Sequence, residues 1–231
     1  MGKTVGILGG MGPLATVDLF AKIVQCTPAA VDQDHLRIIV DNNPQIPPRV
    51  EAIIQGAESP LPSMARSARL LEGAGADFIV MPCNTAHYWI GELRQAVKVP
   101  VLDMIEAAAA YIARRRDAAA GPTLLLATAA TIRTGLYQKA FAVRNLTLVT
   151  PNGAEQKVLD AAVRQVKAGA VADNPYLGEL NAMVDRFAAG GTQAMLAGCT
   201  EVPLLFPFLG GPEKFDATAI LAQAAVETAL A

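Results

Sequence analysis

The sequence has few cysteines, few clustered charges and no long apolar run. Only three of its 231 residues are cysteines, and no two are spaced as C-x-x-C. A disulfide framework is therefore not expected, and free thiols in a reducing cytoplasm are favoured. No apolar run approaches the roughly 18 residues of a membrane span. Because 19 Lys and Arg nearly balance 21 Asp and Glu, the clustered cations that bind nucleic acid are missing.

What the chain does contain is enough apolar sequence for a large core. Hydrophobic residues make up 52% of the chain, which excludes wholesale disorder, and the length suits one compact domain or two small ones. The first sixteen residues include an apolar stretch, but glycines interrupt it and no small-residue cleavage site follows. This stretch therefore predicts a first β-strand and not a signal peptide.

Short apolar runs rich in branched residues alternate with longer Ala-rich segments. Runs that are apolar at most consecutive positions are typical of parallel strands covered by helices on both faces. This alternation predicts an α/β fold with doubly wound parallel sheets. The predicted strands are 4–8, 36–40, 78–81, 99–102, 123–127, 146–149 and 194–197. The predicted helices are 14–25, 62–72, 104–116, 153–168, 178–188 and 217–230.

The second half of the chain resembles the first. GADFIVMPCNT at 75–85 aligns without gaps on GTQAMLAGCTE at 191–201, an offset of 116 that brings Cys83 onto Cys199. The segments 4–16 and 122–134 match at an offset of 118, and Asp103 and Asp216 each open an Ala-rich helix. The sequence therefore predicts two similar α/β lobes related by a pseudo-twofold axis. The first would comprise residues 1–101 plus 214–231, and the second residues 102–213.

The two matched cysteines are the candidate catalytic residues. Each follows a predicted strand, and ligands of open parallel sheets bind outside the carboxyl ends of strands. Each precedes residues expected to open a helix, so we expect the helix N-terminus to lower the thiol pKa toward neutrality. If the lobes face each other, Cys83 and Cys199 point into one cleft between them from opposite sides.

Two opposed acid/base groups of equal type indicate stereochemical inversion at a carbon. One thiolate removes a proton and the other thiol delivers one to the opposite face, so no cofactor or metal is required. A carboxylate on that carbon needs hydrogen-bond donors, which Asn84, Thr85 and Thr200 are placed to supply. Thr128 is either a substrate contact or a turn cap. Glu201 accepts from the Cys199 thiol or the substrate ammonium, or is merely a favourable first-turn charge.

Structural interpretations of the same residues stay open. A cysteine at a strand end is often a small buried hydrophobe, and Cys26 is expected to be structural. Gly10 to Ala15 reads as G-x-G-x-x-A, but the acid that a dinucleotide site requires is badly placed. Zinc would need more ligands than the chain offers near two cysteines. His87 is either a partner behind Cys83 or a surface residue.

At these residues the chain resembles the aspartate racemases of the cofactor-independent aspartate/glutamate racemase family. The motifs CNTAH and GCTE, each after a strand, are specific to this family when found together, and the resemblance spans most of the chain. It implies two α/β lobes with the active site between them, often in a homodimer, and it assigns catalysis to Cys83 and Cys199. The matching stretches are GILGGMGPLAT (6–16), DNNPQIPPR (41–49), GADFIVMPCNTAH (75–87), LLATAATIRTGLY (125–137), VKAG (166–169) and AGCTEVPLL (197–205).

The resemblance also implies a substrate. Glutamate racemases have an acid and a His where this chain has Gly9 and Glu201, which favours aspartate, and a cysteine at both catalytic positions implies a reversible reaction. The resemblance assigns the side-chain carboxylate of the substrate to Arg49 and Lys167, in agreement with its need for a cation. Without the family resemblance, the sequence alone favours a solvent-facing loop charge for Arg49 and an exposed helix-terminal cation for Lys167.

The sequence therefore predicts a cytoplasmic, cofactor-independent enzyme that interconverts L- and D-aspartate. Its expected partners are a dicarboxylic amino acid and a second copy of the chain. Two alternatives remain. One is related chemistry on the same fold: glutamate or hydantoin racemisation, maleate isomerisation or malonate decarboxylation. The other is a carboxylate-binding protein without catalysis.

Overall fold

The computed structural model describes residues 2–116 and 120–231, and the chain divides into two compact units. The first unit comprises the residues up to Ala107 together with Thr218–Ala231, and the second comprises Ala108–Ala217. Two helices therefore cross the boundaries in sequence, α5 (Met104–Ala113) and α11 (Ala217–Leu230). Within the described residues, no helix has the length and apolar character needed to cross a membrane.

The first unit is built on a parallel sheet of three strands. These strands are β1 (Val5–Gly9), β2 (Ile38–Asn42) and β3 (Phe78–Val80), in the spatial order β2-β1-β3. The helices that belong to this unit alone are α1 (Pro13–Cys26), α2 (Arg49–Gln55), α3 (Leu61–Gly73) and α4 (Ile90–Ala96), with 3-10 helices at Asp32–Asp34 and Thr85–Trp89. All of β1 is buried, as expected of a central strand covered on both faces.

The second unit is built on a parallel sheet of four strands. They are β4 (Thr123–Leu126), β5 (Leu148–Val149), β6 (Ala194–Ala197) and β7 (Glu213–Asp216), in the order β5-β4-β6-β7. Its helices are α6 (Ala129–Thr134), α7 (Leu136–Ala142), α8 (Gly153–Lys167), α9 (Leu177–Ala189) and α10 (Val202–Leu205), with a 3-10 helix at Phe206–Phe208. Leu159, Val163 and Val166 of α8 pack with Met183 and Val184 of α9 in its core.

The two sheets share their strand order and their register. In the first unit, Ile79 of β3 forms a parallel bridge with Val101, and in the second, Met195 of β6 pairs with Lys214 of β7. These partners differ by offsets of 116 (195 − 79) and 113 (214 − 101), close to those of the sequence repeat. The α/β class and the two similar parallel-sheet units predicted from the sequence are confirmed.

Four segments differ from the sequence-based elements. The strand predicted at 36–40 lies two residues later, at Ile38–Asn42. The predicted strand at 99–102 is reduced to a single bridge, because Pro100 has no N–H to continue a ladder. The predicted strand at 146–149 begins only at Leu148, because the Leu146 N–H closes the end of α7 on the Phe141 carbonyl. The predicted helix at 104–116 ends at Ala113.

The structure also contains elements that the pattern did not predict. Helices α2, α4, α6 and α7 are six or seven residues long, too short to show a clear helical period. In strand β7 the charged residues Glu213 and Lys214 are exposed and Phe215 is buried, so its sequence reads as polar.

Candidate active site

Cys83 lies just beyond the carboxyl end of β3 and is 6% exposed. Its N–H donates to the Met81 carbonyl at 2.8 Å, and its side chain belongs to the core of the first unit. Asn84 and Thr85, which follow it, are also buried. The next segment is a 3-10 helix, to which the Asn84 side chain makes no capping hydrogen bond. The expected capped α-helix after Cys83 is therefore not formed.

His87 is buried and is not a surface residue. Its side chain is 1% exposed, Nδ1 lies 2.8 Å from the Cys83 carbonyl, and Nε2 lies 3.0 Å from the Met104 nitrogen. Burial is the main cause that lowers the pKa of His87, opposed by the nearby Asp103 carboxylate. The ring is therefore a neutral link between the backbone of Cys83 and the start of α5.

The glycine-rich loop after β1 uses its backbone internally. The Gly10 N–H donates to the Thr16 hydroxyl at 2.9 Å, and that hydroxyl donates to the Gly12 carbonyl at 3.0 Å. Gly10 has a φ of +89°, and a Cβ there would lie 2.3 Å from the Asn43 backbone. Close packing of this loop against the backbone that follows β2 thus accounts for the glycine, without a dinucleotide phosphate.

Arg49 is half-buried and binds backbone carbonyls. It opens α2, and its guanidinium donates to Ile46 at 3.0 Å, Pro47 at 2.9 Å and Met11 at 3.2 Å. Within residues 2–116 and 120–231, its buried Nε atom has no hydrogen-bond partner. The solvent-facing interpretation of Arg49 is therefore wrong, since its side chain ties the loop after β1 to the loop after β2.

Cys199 lies beyond the carboxyl end of β6, 116 residues after Cys83, and is also 6% exposed. Its thiol donates to Oε2 of Glu201 at 2.9 Å. The Thr200 hydroxyl donates to the same oxygen at 3.3 Å, and Lys167 Nζ lies 3.6 Å from the other carboxylate oxygen. The structure thus brings Cys199, Thr200 and Glu201 into one hydrogen-bonded group, to which Lys167 adds an ion pair with Glu201.

The pKa of Cys199 is raised well above its ordinary value, first by burial and then by the Glu201 charge, while Lys167 acts in the opposite direction. The expectation that a helix N-terminus lowers this pKa is therefore wrong for Cys199. The helix that follows, α10, has only four residues and begins after Glu201, so its dipole is small. The contact between Glu201 and the thiol, one of the predicted alternatives, is confirmed.

Thr128 lies at the end of β4, the strand that pairs with β6. Its hydroxyl accepts the Thr131 N–H at 3.2 Å and lies 3.1 Å from the Thr131 hydroxyl, so it caps α6. Gln156 and Asp160 lie beside it and were not predicted from the sequence. Asp160 accepts from the Ala129 N–H at 3.2 Å and from Gln156 at 3.1 Å. Their spacing of four residues on α8 was a signal that both face one side of the helix.

The predicted site residues fall into two groups. Arg49, Cys83, Asn84 and Thr85 belong to the first unit, and Thr128, Lys167, Cys199, Thr200 and Glu201 belong to the second. That both groups act on one substrate stays a prediction. Within the described ranges, no cluster of three or more His, Cys, Asp or Glu side chains is arranged to hold a metal ion.

Comparison with known proteins gives the family. The model of the family "Asp/Glu/Hydantoin racemase" matches residues 8–225. The broad specificity amino-acid racemase RacX of Bacillus subtilis is 30% identical over 176 residues, 70% of this chain and 71% of that protein. The glutamate racemase of Corynebacterium diphtheriae is 30% identical over 133 residues, 57% of this chain and 47% of that enzyme.

Solved structures agree with this family. The Picrophilus torridus aspartate racemase superposes with a TM-score of 0.86 at 32% identity, covering 99% of this chain and 94% of that chain. The match of the family model over most of the sequence and the RacX relationship are independent of this superposition. The chain therefore belongs to the Asp/Glu/hydantoin racemase family.

Proposed function

We propose that the protein is a cofactor-independent amino-acid racemase that interconverts L- and D-aspartate through Cys83 and Cys199. The observation that carries this proposal is the equivalence of the two thiols. Each follows the corresponding strand of its sheet, at the same offset of 116 that relates Ile79 to Met195, and each is nearly buried. A reaction that inverts a carbon needs one proton acceptor and one proton donor, on opposite faces of that carbon.

The chemistry requires that the two sulfurs flank the α-carbon of one substrate molecule. In one direction the Cys83 thiolate takes the α-proton, and the Cys199 S–H delivers a proton to the opposite face of the carbanion. The reverse direction exchanges these roles. In either direction one proton leaves the α-carbon and one is added to it, and no oxidation or reduction occurs. Support for Cys199 as the protonated partner at rest comes from its hydrogen bond to Glu201.

We assign the α-carboxylate of the substrate to donors at Asn84, Thr85 and Thr200. These residues are buried directly beside the two cysteines, where a hydrogen bond to a carboxylate is not weakened by water. Water exclusion also protects a carbanion from unproductive protonation. In this proposal Thr128 caps α6 and, from the strand adjacent to β6, also contacts the substrate.

Aspartate is the substrate that we favour, because its second carboxylate would occupy cationic groups at Arg49 and Lys167. Support comes from the Arg49 Nε atom, which has no hydrogen-bond partner among the described residues, and from the similarity to an aspartate racemase over nearly the whole chain. The relatives named for glutamate and for broad specificity make glutamate and other amino acids the competing substrates. We also propose a cytoplasmic location, in keeping with three free cysteines. A homodimer is proposed from the family resemblance alone.

The test is incubation with L-aspartate in D2O without added cofactor. We expect loss of the α-proton NMR signal together with loss of optical rotation, and the same from D-aspartate. Cys83→Ser and Cys199→Ser should each abolish racemisation, whereas Cys26→Ser, at the exposed end of α1, should retain it. If the α-proton of glutamate exchanges and that of aspartate does not, glutamate is the substrate. If no amino acid exchanges its α-proton, the protein is a carboxylate-binding protein without catalysis.

A further inference from the structure

The His87 ring joins two backbone segments of the first unit. A carbonyl can only accept a hydrogen bond and an amide N–H can only donate one. Nδ1 must therefore carry the proton that goes to the Cys83 carbonyl, and Nε2 must present its lone pair to the Met104 N–H. Both nitrogens of the neutral ring are occupied, so this histidine has no proton to exchange with a substrate.

The charges that face the ring are engaged elsewhere. The Asp103 carboxylate accepts from the Ile105 N–H at 2.9 Å, and the Arg94 guanidinium donates to the Val101 carbonyl at 3.1 and 2.9 Å. Burial is the largest influence on the His87 pKa and lowers it, as does the charge of Arg94, while the Asp103 carboxylate and the Cys83 and Leu102 carbonyls act in the opposite direction. The surroundings thus hold the ring neutral in the tautomer that its two contacts demand.

The backbone around Cys83 is fixed on both sides of the thiol. The Cys83 N–H is held by the Met81 carbonyl, and its own carbonyl is held by the His87 ring. The His87 N–H also donates to the Asn84 carbonyl at 3.1 Å. The side chain of His87 therefore closes the turn that carries Cys83 and anchors it to the first residue of α5.

We propose that His87 is a positioning residue, which sets the location of the Cys83 sulfur by holding the Cys83 carbonyl against the start of α5. The role in turnover rests on the proposed function, since it supposes that Cys83 exchanges the substrate proton. His87 itself touches neither the substrate nor the thiol. Small displacements of a reacting group cost large factors in rate, on the order of a hundredfold for about 1 Å.

The experiment measures the thiol and the reaction separately. In the full chain carrying Cys26→Ser and Cys199→Ser, the rate of Cys83 alkylation by iodoacetamide is followed against pH. We expect His87→Ala to change this rate severalfold and to move the pH midpoint. His87→Asn should restore most of the original profile, because its amide N–H has the reach of Nδ1. In the chain with all cysteines, His87→Ala should lower the kcat for aspartate about tenfold or more.

Two controls separate positioning from general weakening of the fold. Leu19→Ala removes a fully buried side chain of α1, outside the core cluster that contains Cys83, and should lower the melting temperature without altering Cys83 alkylation. In the chain carrying Cys26→Ser and Cys83→Ser, His87→Ala should leave Cys199 alkylation unchanged. Equal changes at both thiols, no change at Cys83, or failure of His87→Asn to restore the profile would overturn the proposal.

Nitrogen NMR of the ring gives a readout that requires neither alkylation nor turnover. The chain has two histidines, His35 and His87, so in the His35→Gln variant every imidazole signal comes from His87. We expect the proton on Nδ1, and a proton on Nε2 would overturn the proposed contact. If the wild-type protein racemises no amino acid, the proposed function fails, while alkylation and NMR still decide whether His87 positions Cys83.

Discussion

The thiol of Cys199 donates a hydrogen bond to the carboxylate of Glu201, with 2.9 Å between Sγ and Oε2. A negative oxygen at this distance stabilises the thiol relative to the thiolate. Lys167, whose Nζ lies 3.6 Å from the other oxygen, acts in the opposite direction. The protonation of Cys199 therefore depends on two neighbours with opposite effects, and each can be removed separately.

Glu201→Gln should make Cys199 more reactive toward iodoacetamide. Loss of the Glu201 charge removes one of the causes that raise the Cys199 pKa, so more thiolate is present at a given pH and alkylation is faster severalfold. Lys167→Met should have the opposite effect, because Lys167 lowers this pKa. The measurement is the pH profile of Cys199 alkylation in the Cys26→Ser and Cys83→Ser background. Shifts in the same direction for both variants would contradict the assignment.

His87 should make the protein less stable in acid. Its pKa is lowered from 6.5 by burial, so below about pH 6.5 the unfolded chain binds a proton that the folded protein excludes. The free energy of unfolding should fall by up to about 1.4 kcal/mol per pH unit from this group. Urea titrations from pH 7 to 5 should show a flatter dependence for His87→Asn. The exposed His35 provides the matched control, and His35→Gln should keep the wild-type slope.

Gly198→Ala should destabilise the second unit. A Cβ at this position would lie 2.5 Å from Leu125 Cδ1 and 3.1 Å from Ala127 Cβ. Such overpacking costs about 1–3 kcal/mol, and it would also displace the adjacent Cys199. Gly178→Ala, in helix α9 with open space around it, should instead stabilise the protein by about 0.5–1 kcal/mol. Urea denaturation measures both changes, and a neutral Gly198→Ala would contradict the predicted clash.

Arg49→Lys should weaken aspartate binding. An ammonium lacks the planar fork that reaches three carbonyls while an N–H remains for a substrate carboxylate. We expect KM to rise about tenfold or more, since hydrogen bonds to charged groups are worth about 1.5–3 kcal/mol. The exposed Arg66 is the control, and Arg66→Lys should leave KM unchanged. A lower melting temperature with an unchanged KM would mean that Arg49 serves only the loops.

Much of the fold could be predicted from apolar runs and their repetition. The run 194–197 is a strand with those bounds, and helix 217–230 is likewise unchanged. The failures have local causes that the apolar pattern does not contain. Pro100 interrupts one strand, and the Leu146 N–H is used to end a helix. Strand β7 buries Phe215 beside charged residues, so its sequence gives no apolar run.

The positions of the candidate residues near strand ends could be predicted from the sequence, but their protonation states could not. Repeat spacing singled out Cys83 and Cys199, while the pKa of Cys199 depends on burial and on the direction of the Glu201 side chain. The burial of His87 was also beyond reach, because its partner Met104 is distant in sequence. Arg49 read as a loop cation because one of its carbonyl partners, Met11, becomes a neighbour only in the folded unit.

The first unit is completed by the last helix of the chain. The Lys3 N–H donates to the Ala229 carbonyl at 2.9 Å, and Lys3 Nζ donates to the Thr228 carbonyl at 3.2 Å. During synthesis, residues 108–216 are all available before α11 is made. Nearly all residues of the second unit are therefore synthesised while the first unit still lacks α11. Deletion of α11 should therefore destabilise the first unit, whose N-terminal residues it contacts.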